Sequence, residues 1–260
     1  MEYKWIIREK ADPKAVESLG KEINLNQTLA NMLVNRGVDT FQKAKDFFRP
    51  DPDKLHDPYL MKDMDKAVER LAMAIEREEK ILVYGDYDVD GTTSVAMFYG
   101  FLKHFYTHVS FYIPDRYKEG YGISEKGVRF AAENNFSLVV SLDCGIKAID
   151  KVRLAKELGV DFIICDHHTP GDQLPEAVAV LDAKREDCTY PYDELCGCGV
   201  GFKLIQALSQ NRNQTIDDLI PYLDLVATAI AADIVPITGE NRVLAHFGLQ
   251  VINEAPRPGI

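Results

Sequence analysis

ILVYGDYDVDGTTSVAMFYGFL, residues 81–102, is the stretch that sets the class of the fold. Its first five residues form a short apolar run rich in β-branched and aromatic side chains, the composition of a buried strand. Asp86, Asp88 and Asp90 follow, alternating with Tyr87 and Val89. After Gly91 the chain turns apolar again, over a length that suits a helix from about Thr92 to Phe105. The same unit recurs downstream. VSFYI precedes a helical pattern near Ser124–Asn134, and LVVSL precedes one near Ile146–Leu158. FIIC and AVAVL follow, with helices opening near Gly199 and running from about Ile216 to Ala232. Short strands alternating with helices of about 10–15 residues mark parallel βαβ units. The expected fold is therefore α/β, a parallel sheet with helices on both faces.

Working back towards the start, residues 1–75 read as a helical segment of mixed polarity, in SLGKEINLNQTLANMLVNRG and TFQKAKDFF. RPDPDKLHDP is a Pro-rich break, followed by an amphipathic helix from about Asp65 to Glu79. The expected division is a helical segment, 1–75, ahead of an α/β domain, 76–260.

Composition excludes some classes of function. No apolar run approaches the roughly 18 residues of a membrane span, and the first residues, MEYKWIIREK, do not read as a signal peptide. Five cysteines without paired CxxC spacing speak against a structural zinc site and fit a reducing, cytoplasmic setting. The net charge of −11 argues against a broad nucleic-acid-binding surface, unless part of the acid cluster is neutralised by bound cations.

Chemistry concentrates where apolar runs end. Asp86 follows ILVYG, Asp143 follows LVVSL, and Asp166 follows FIIC. In an open parallel sheet the ligand crevice lies beyond the carboxyl ends of the strands, so these aspartates are expected on one rim. A lone aspartate after a strand equally often caps the next helix; three such sites together argue for a shared one. An EF-hand reading of DYDVDG fails, because Met97 stands where the bidentate Glu belongs. Asp86 and Asp88 are expected to reach two cations from one turn, and Asp90 to cap the following helix. Asp166-His167-His168 supplies an imidazole ligand with a carboxylate beside it to orient it. Asp233 closes the apolar helix LVATAIAAD, where a carboxylate is unfavourable with the helix dipole unless a cation is near. An Asp/His set without cysteine suits Mn²⁺ or Mg²⁺. In PDRYKEGYG, Arg116 can clamp a phosphate and Tyr121 can stack on a base, or the stretch is a plain solvated loop. In CGCGVG, Gly199 opens a helix whose amides can face an anion, or the glycines only make a tight turn.

GDYDVDGTTS, SLDCGI, CDHH and AADIVP, in that order, resemble the four motifs of the DHH phosphoesterase superfamily. NRGVDTFQKAKDFFRP, LHDPYLMKDMDKAVERL, IPDRYKEGYGIS, CGCGVGFKL and NEAPRPGI resemble its RecJ branch. The resemblance implies a 5′-to-3′ exonuclease on single-stranded DNA in recombination and repair, using a two-metal site of Mn²⁺ or Mg²⁺ and working with repair or recombination proteins. It also implies residue roles. Asp86 holds the first metal, Asp88 the second, and Asp143 bridges them. His167 and Asp233 complete the second site, Asp166 orients His167, and His168 faces the scissile phosphate. Some DHH enzymes place a metal-binding His ahead of the first acids; Tyr84 and Gly85 stand there instead. The DHHA1 domain and OB-fold that RecJ proteins carry are expected to be absent from this chain. The alternatives are another DHH activity, on oligoribonucleotides, cyclic dinucleotides or pyrophosphate, and a non-catalytic DHH scaffold.

Overall fold

The computed structural model describes Lys4, Ile6 and residues 9–260, which divide into two compact units at Lys54/Leu55. The first unit holds three short helices, α1 (Pro13–Glu22), α2 (Gln27–Val34) and α3 (Phe41–Phe48). Each begins on a side-chain cap, from Asp12, Asn26 and Thr40. Leu19, Leu33, Val38 and Ala44 form the small core they share.

The second unit begins with α4 (Met64–Glu76) and continues as β1 (Lys80–Gly85), α5 (Val89–Lys103), β2 (Val109–Tyr112), α6 (Glu125–Glu133), β3 (Phe136–Leu142), α7 (Ile149–Glu157), β4 (Asp161–Cys165) and β5 (Ala179–Leu181). Three helices close it, α8 (Gly197–Gln210), α9 (Leu223–Asp233) and α10 (Gly239–Glu254). The division falls earlier than the boundary expected near residue 75. The reason is packing: α4 buries Met64, Ala67, Val68, Leu71 and Ala74 in the same core as the sheet.

All five strands are parallel, in the order β2-β1-β3-β4-β5. Alternate residues serve opposite faces, as the pleat requires. Ile81, Val83, Leu138, Val140 and Ile163 pack with residues of α4, α5, α8 and α9 on one side. Leu82, Tyr84, Val139, Phe162 and Ile164 pack with residues of α6 and α7 on the other. Both faces are covered, which accounts for near-continuous apolar strands. The helix expected from Ile216 forms only from Leu223. Ahead of it the chain makes two short 3₁₀ turns, Ile216–Asp218 and Ile220–Tyr222, because Pro221 supplies no backbone N–H for a continuous α-helix.

A buried ion pair ties the closing helices to the entry of this unit. Lys203 Nζ on α8 lies 3.1 Å from Glu240 Oε1 on α10 and donates to the His56 carbonyl at 2.7 Å. Glu240 also accepts from the His56 amide and the Tyr190 hydroxyl, so its charge is fully hydrogen-bonded.

Candidate metal centre

Register places the strand ends side by side: Gly85 pairs with Leu142, Leu142 with Cys165, and Cys165 with Leu181. The next residue of each strand is an aspartate, so Asp86, Asp143, Asp166 and Asp182 line one rim. Three of these were expected. Asp182 was not, although it follows the apolar run AVAVL in the same way. Its Oδ1 accepts from the Lys184 amide at 2.7 Å, and burial pushes its pKa up to about 7.

The four aspartates do different things. Asp143 stands with φ 59°, and its amide donates to the Cys165 carbonyl at 2.8 Å. That left-handed turn aims its carboxylate at His167, with Oδ1 3.2 Å from Nε2. Burial, reinforced by the carboxylates of Asp90 and Asp88, pushes the Asp143 pKa up to about 11. Asp86 is equally buried, but Oδ1 accepts from the Tyr87 amide (2.7 Å) and Oδ2 from the Gly122 amide (2.6 Å). It fastens the 121–124 loop to β1 and, where a metal ligand was expected, stands outside the groups of ligand atoms gathered around His167. Tyr84 serves the same loop. Its hydroxyl donates to the Gly122 carbonyl (3.1 Å) and accepts from the Ser124 amide (3.0 Å). Tyr84→Phe should cost about 1–3 kcal/mol, the penalty for stranding buried polar groups, measured by denaturant unfolding.

The capping roles within DYDVDG are the reverse of those expected. Asp88 is the N-cap of α5, with Oδ1 accepting from Gly91 N at 2.9 Å. Its other oxygen accepts from the Tyr121 hydroxyl at 3.2 Å. Asp90 is buried one turn further on and accepts from the Gly197 and Cys198 amides, both at 2.7 Å, at the start of α8. The anion at that helix end is thus supplied by the protein itself. Gly199 is buried, and its amide donates to Cys196 Sγ, so it offers no surface to a substrate, contrary to expectation.

Asp90 Oδ2 also lies 3.8 Å from His167 Nε2, and Asp233 Oδ2, at the end of α9, lies 3.7 Å from it. Ligand atoms of Asp90, His167 and Asp233 fall within 4.8 Å of one another, as do those of Asp143, His167 and His168. Burial raises the Asp90 pKa to about 7 against the pull of the two α8 amides. Burial, followed by the His168 charge, lowers the pKa of His167 and keeps its imidazole neutral. Asp166 bonds the ring of His168, Oδ1 to Nδ1 at 2.7 Å, whereas His167 only donates its backbone amide to it, at 2.8 Å. The ring it orients is therefore that of His168, not of His167 as expected. Its carboxylate raises the His168 pKa, and burial of Asp166 is outweighed by the His168 and Ile146 hydrogen bonds that hold its own pKa down.

Whether this cluster suits a divalent cation can be judged from its unsatisfied atoms. Asp143 Oδ1 and both ring nitrogens of His167 are buried with no hydrogen-bond partner. Buried acceptors left unpaired are costly, and a close group of carboxylate oxygens around a neutral imidazole is the donor set of a hard divalent ion. The residues fit.

Arg116 and Tyr121 sit on the exposed loop after β2. The Arg116 guanidinium lies over the Tyr87 ring, 5.4 Å from its centroid, and Tyr121 meets Tyr87 and His168 edge-on. Tyr121 thus borders His168, and Arg116 lies against Tyr87.

A family model described as the DHH family, N-terminal domain, matches residues 80–230. The chain belongs to the DHH family. This DHH chain is 42% identical over 257 residues to the single-stranded-DNA-specific exonuclease RecJ of Bacillus subtilis (strain 168), covering 99% of the chain and 32% of that relative. It thus spans about a third of that protein's length. Among solved structures it is similar to an exonuclease RecJ bound to manganese, at 34% identity and TM-score 0.68, over 74% of this chain and 48% of that one. It is also similar to RecJ in complex with Mn²⁺ from Thermus thermophilus, at 28% identity and TM-score 0.77, over 94% of this chain and 34% of that one. The α/β class, with its parallel sheet, agrees with these structures. Among the described residues no helix is long and apolar enough to cross a membrane.

Proposed function

We propose that residues 55–260 are the catalytic DHH part of a metal-dependent exonuclease that hydrolyses phosphodiester bonds of single-stranded DNA from the 5′ end. The observation that carries this reading is the convergence on His167 of the buried Asp90 and Asp143 and the exposed Asp233, with three orphaned ligand atoms, in a chain similar to RecJ enzymes. Mn²⁺ or Mg²⁺ is the fitting cofactor. Asp90, Asp143, His167 and Asp233 would hold one ion, with Asp88 at the edge of the same cluster. Bound there, divalent cations supply Lewis-acid stabilisation of phosphate oxygens and lower the pKa of the attacking water.

The chain's own residues position the strand. Asp166 fixes the His168 ring through Nδ1, which leaves Nε2 for an oxygen of the scissile phosphate. Tyr121 is exposed and anchored through its hydroxyl to Asp88, so a base can stack on its ring at the entrance. Arg116, held over Tyr87, pairs with the sugar–phosphate backbone. Asp86 and Tyr84 hold the loop that carries Tyr121. A cytoplasmic setting and association with repair or recombination proteins belong to the same reading.

Oligonucleotides blocked at one end or the other, incubated with Mn²⁺ and the full-length protein, test it. Blocking the 5′ end should stop release of mononucleotides, and blocking the 3′ end should not. Degradation that stops only with the 3′ block would reverse the polarity assigned here.

A further inference from the structure

Asp233 is the exposed member of the acids around His167, and the backbone just after it is strained. Ile234 stands at φ 59° and ψ 30°, and among the described residues with a positive φ it is the sole β-branched one. A branched Cβ is poorly tolerated in that region, and such a conformation persists only where the surroundings impose it. Packing supplies little of that constraint. From Ala231 to Gly239 every residue is exposed except Val235, which is half-buried against the core. Hydrogen bonds supply more, and two of them converge on the Pro236 carbonyl.

The inner one comes from Asn241, fully buried in the first turn of α10. Its Nδ2 donates to the Pro236 carbonyl at 3.0 Å and also to the Glu194 carbonyl. A side-chain amide nitrogen has two protons to give, so both are committed. The outer one comes from Tyr192, whose hydroxyl lies 3.2 Å from the Pro236 carbonyl and 3.2 Å from Thr238 Oγ1. The second acceptor of Asn241 connects this turn to the other side of the site. Glu194 lies two residues ahead of Cys196, the N-cap of α8, and the first amides of α8 hold Asp90. One buried carboxamide thus joins the entry of α8 to the turn after α9. Those two segments support Asp90 and Asp233, which approach His167 Nε2 to 3.8 and 3.7 Å.

We propose that Asn241 is a positioning residue for the metal centre: by bridging Glu194 and Pro236 it imposes the left-handed turn at Ile234 and so sets Asp233 beside Asp90 at His167. The proposal rests on the metal-binding part of the reading above. Full-length wild type and variants are compared by calorimetric titration with Mn²⁺ and by thermal melting. Asn241→Ala removes both donated bonds and should weaken Mn²⁺ binding about tenfold or more, the usual effect of losing a residue that orients a metal ligand. Ile234→Gly added to that variant should recover about fivefold or more of the affinity, because glycine takes the left-handed conformation without external support. Tyr192→Phe removes a single hydroxyl and keeps the ring. It should weaken binding about threefold, the effect of one hydrogen bond, and it tests the same turn should Asn241→Ala fail to fold.

A lowered melting temperature with unchanged Mn²⁺ affinity would mean that Asn241 only stabilises the fold, and it overturns the proposal. So does an affinity loss that Ile234→Gly leaves unrecovered. If Asn241→Ala does not fold, wild-type affinity in Tyr192→Phe overturns it as well. Failure of the nuclease reading shows separately, as wild-type protein that binds Mn²⁺, loses affinity in these variants, and leaves single-stranded DNA intact.

Discussion

Asp143→Asn should raise the melting temperature of the metal-free protein, remove the stabilisation that Mn²⁺ adds to the wild type, and lower nuclease turnover by more than about 100-fold. The first effect follows from proton linkage. Burial and the neighbouring carboxylates push the Asp143 pKa up to about 11, against an ordinary value of 3.8. Between those values the folded state retains a proton that the unfolded chain has released, so stability falls as pH rises through that window. The asparagine amide carries no such charge and removes the part of the slope that Asp143 contributes. Asparagine is also suited to the left-handed backbone here, φ 59°, where alanine would add strain. The second and third effects follow from the geometry of Oδ1, 3.2 Å from His167 Nε2 and without a hydrogen bond of its own. Loss of a partner that only orients a metal ligand typically costs about 10–100-fold, and loss of a ligand exceeds that. Thermal melts from pH 5 to 9, with and without Mn²⁺, measure the first two effects. A wild-type melting temperature that is flat with pH, and equal to the variant's at every point, would refute the electrostatic account. Unchanged turnover in the variant would remove Asp143 from the mechanism.

Gly197→Ala should disable the site without replacing any ionisable group. A Cβ on Gly197 would lie 2.5 Å from Cβ and Oδ1 of Asp143 and 2.8 Å from its Cα. Contacts that short force movement, and neither side moves cheaply. Asp143 is held by its backbone hydrogen bond to Cys165, and the Gly197 and Cys198 amides are held by Asp90. Overpacking commonly costs about 1–3 kcal/mol, and this clash, partly with backbone, belongs at the upper end of that range. Any relaxation withdraws the start of α8 from Asp90 or pushes Asp143 away from His167. Mn²⁺ affinity should therefore fall together with stability. Calorimetric titration with Mn²⁺ and denaturant unfolding of the same sample measure both, and retained affinity in a destabilised variant would show that the cluster is less tightly coupled to α8 than the contacts imply.

The route from sequence to site was legible where the information is local. Apolar runs at residues 81–85, 138–142 and 162–165 carry enough β-branched and aromatic character to be read as strands, and their spacing by helical segments dictates parallel pairing. A parallel sheet gathers its carboxyl ends on one edge, so residue order alone assigns Asp143, Asp166 and His167 to one rim. Asp233 was legible for a similar reason, as a carboxylate at the unfavourable end of an apolar helix.

What the sequence could not decide was which carboxylates of DYDVDG face the imidazole. Asp86, Asp88 and Asp90 are chemically identical and two residues apart, so composition and spacing rank them equally. The choice is made by partners far along the chain. Asp86 is claimed by the Gly122 amide and Asp88 by its own helix start, while α8, arriving 107 residues after Asp90, turns two amides onto that carboxylate beside His167. Asp166 likewise meets the ring of His168 because the backbone after β4 places that ring against it, an outcome no reading of the residue order DHH distinguishes. Local pattern by itself determined the strands, their parallel order of connection and the address of the site. Tertiary packing alone decided the donor set within that address, because distant segments determine which of three identical side chains lies beside the imidazole: the Gly122 amide holds Asp86 at its loop, and the start of α8 holds Asp90 at His167.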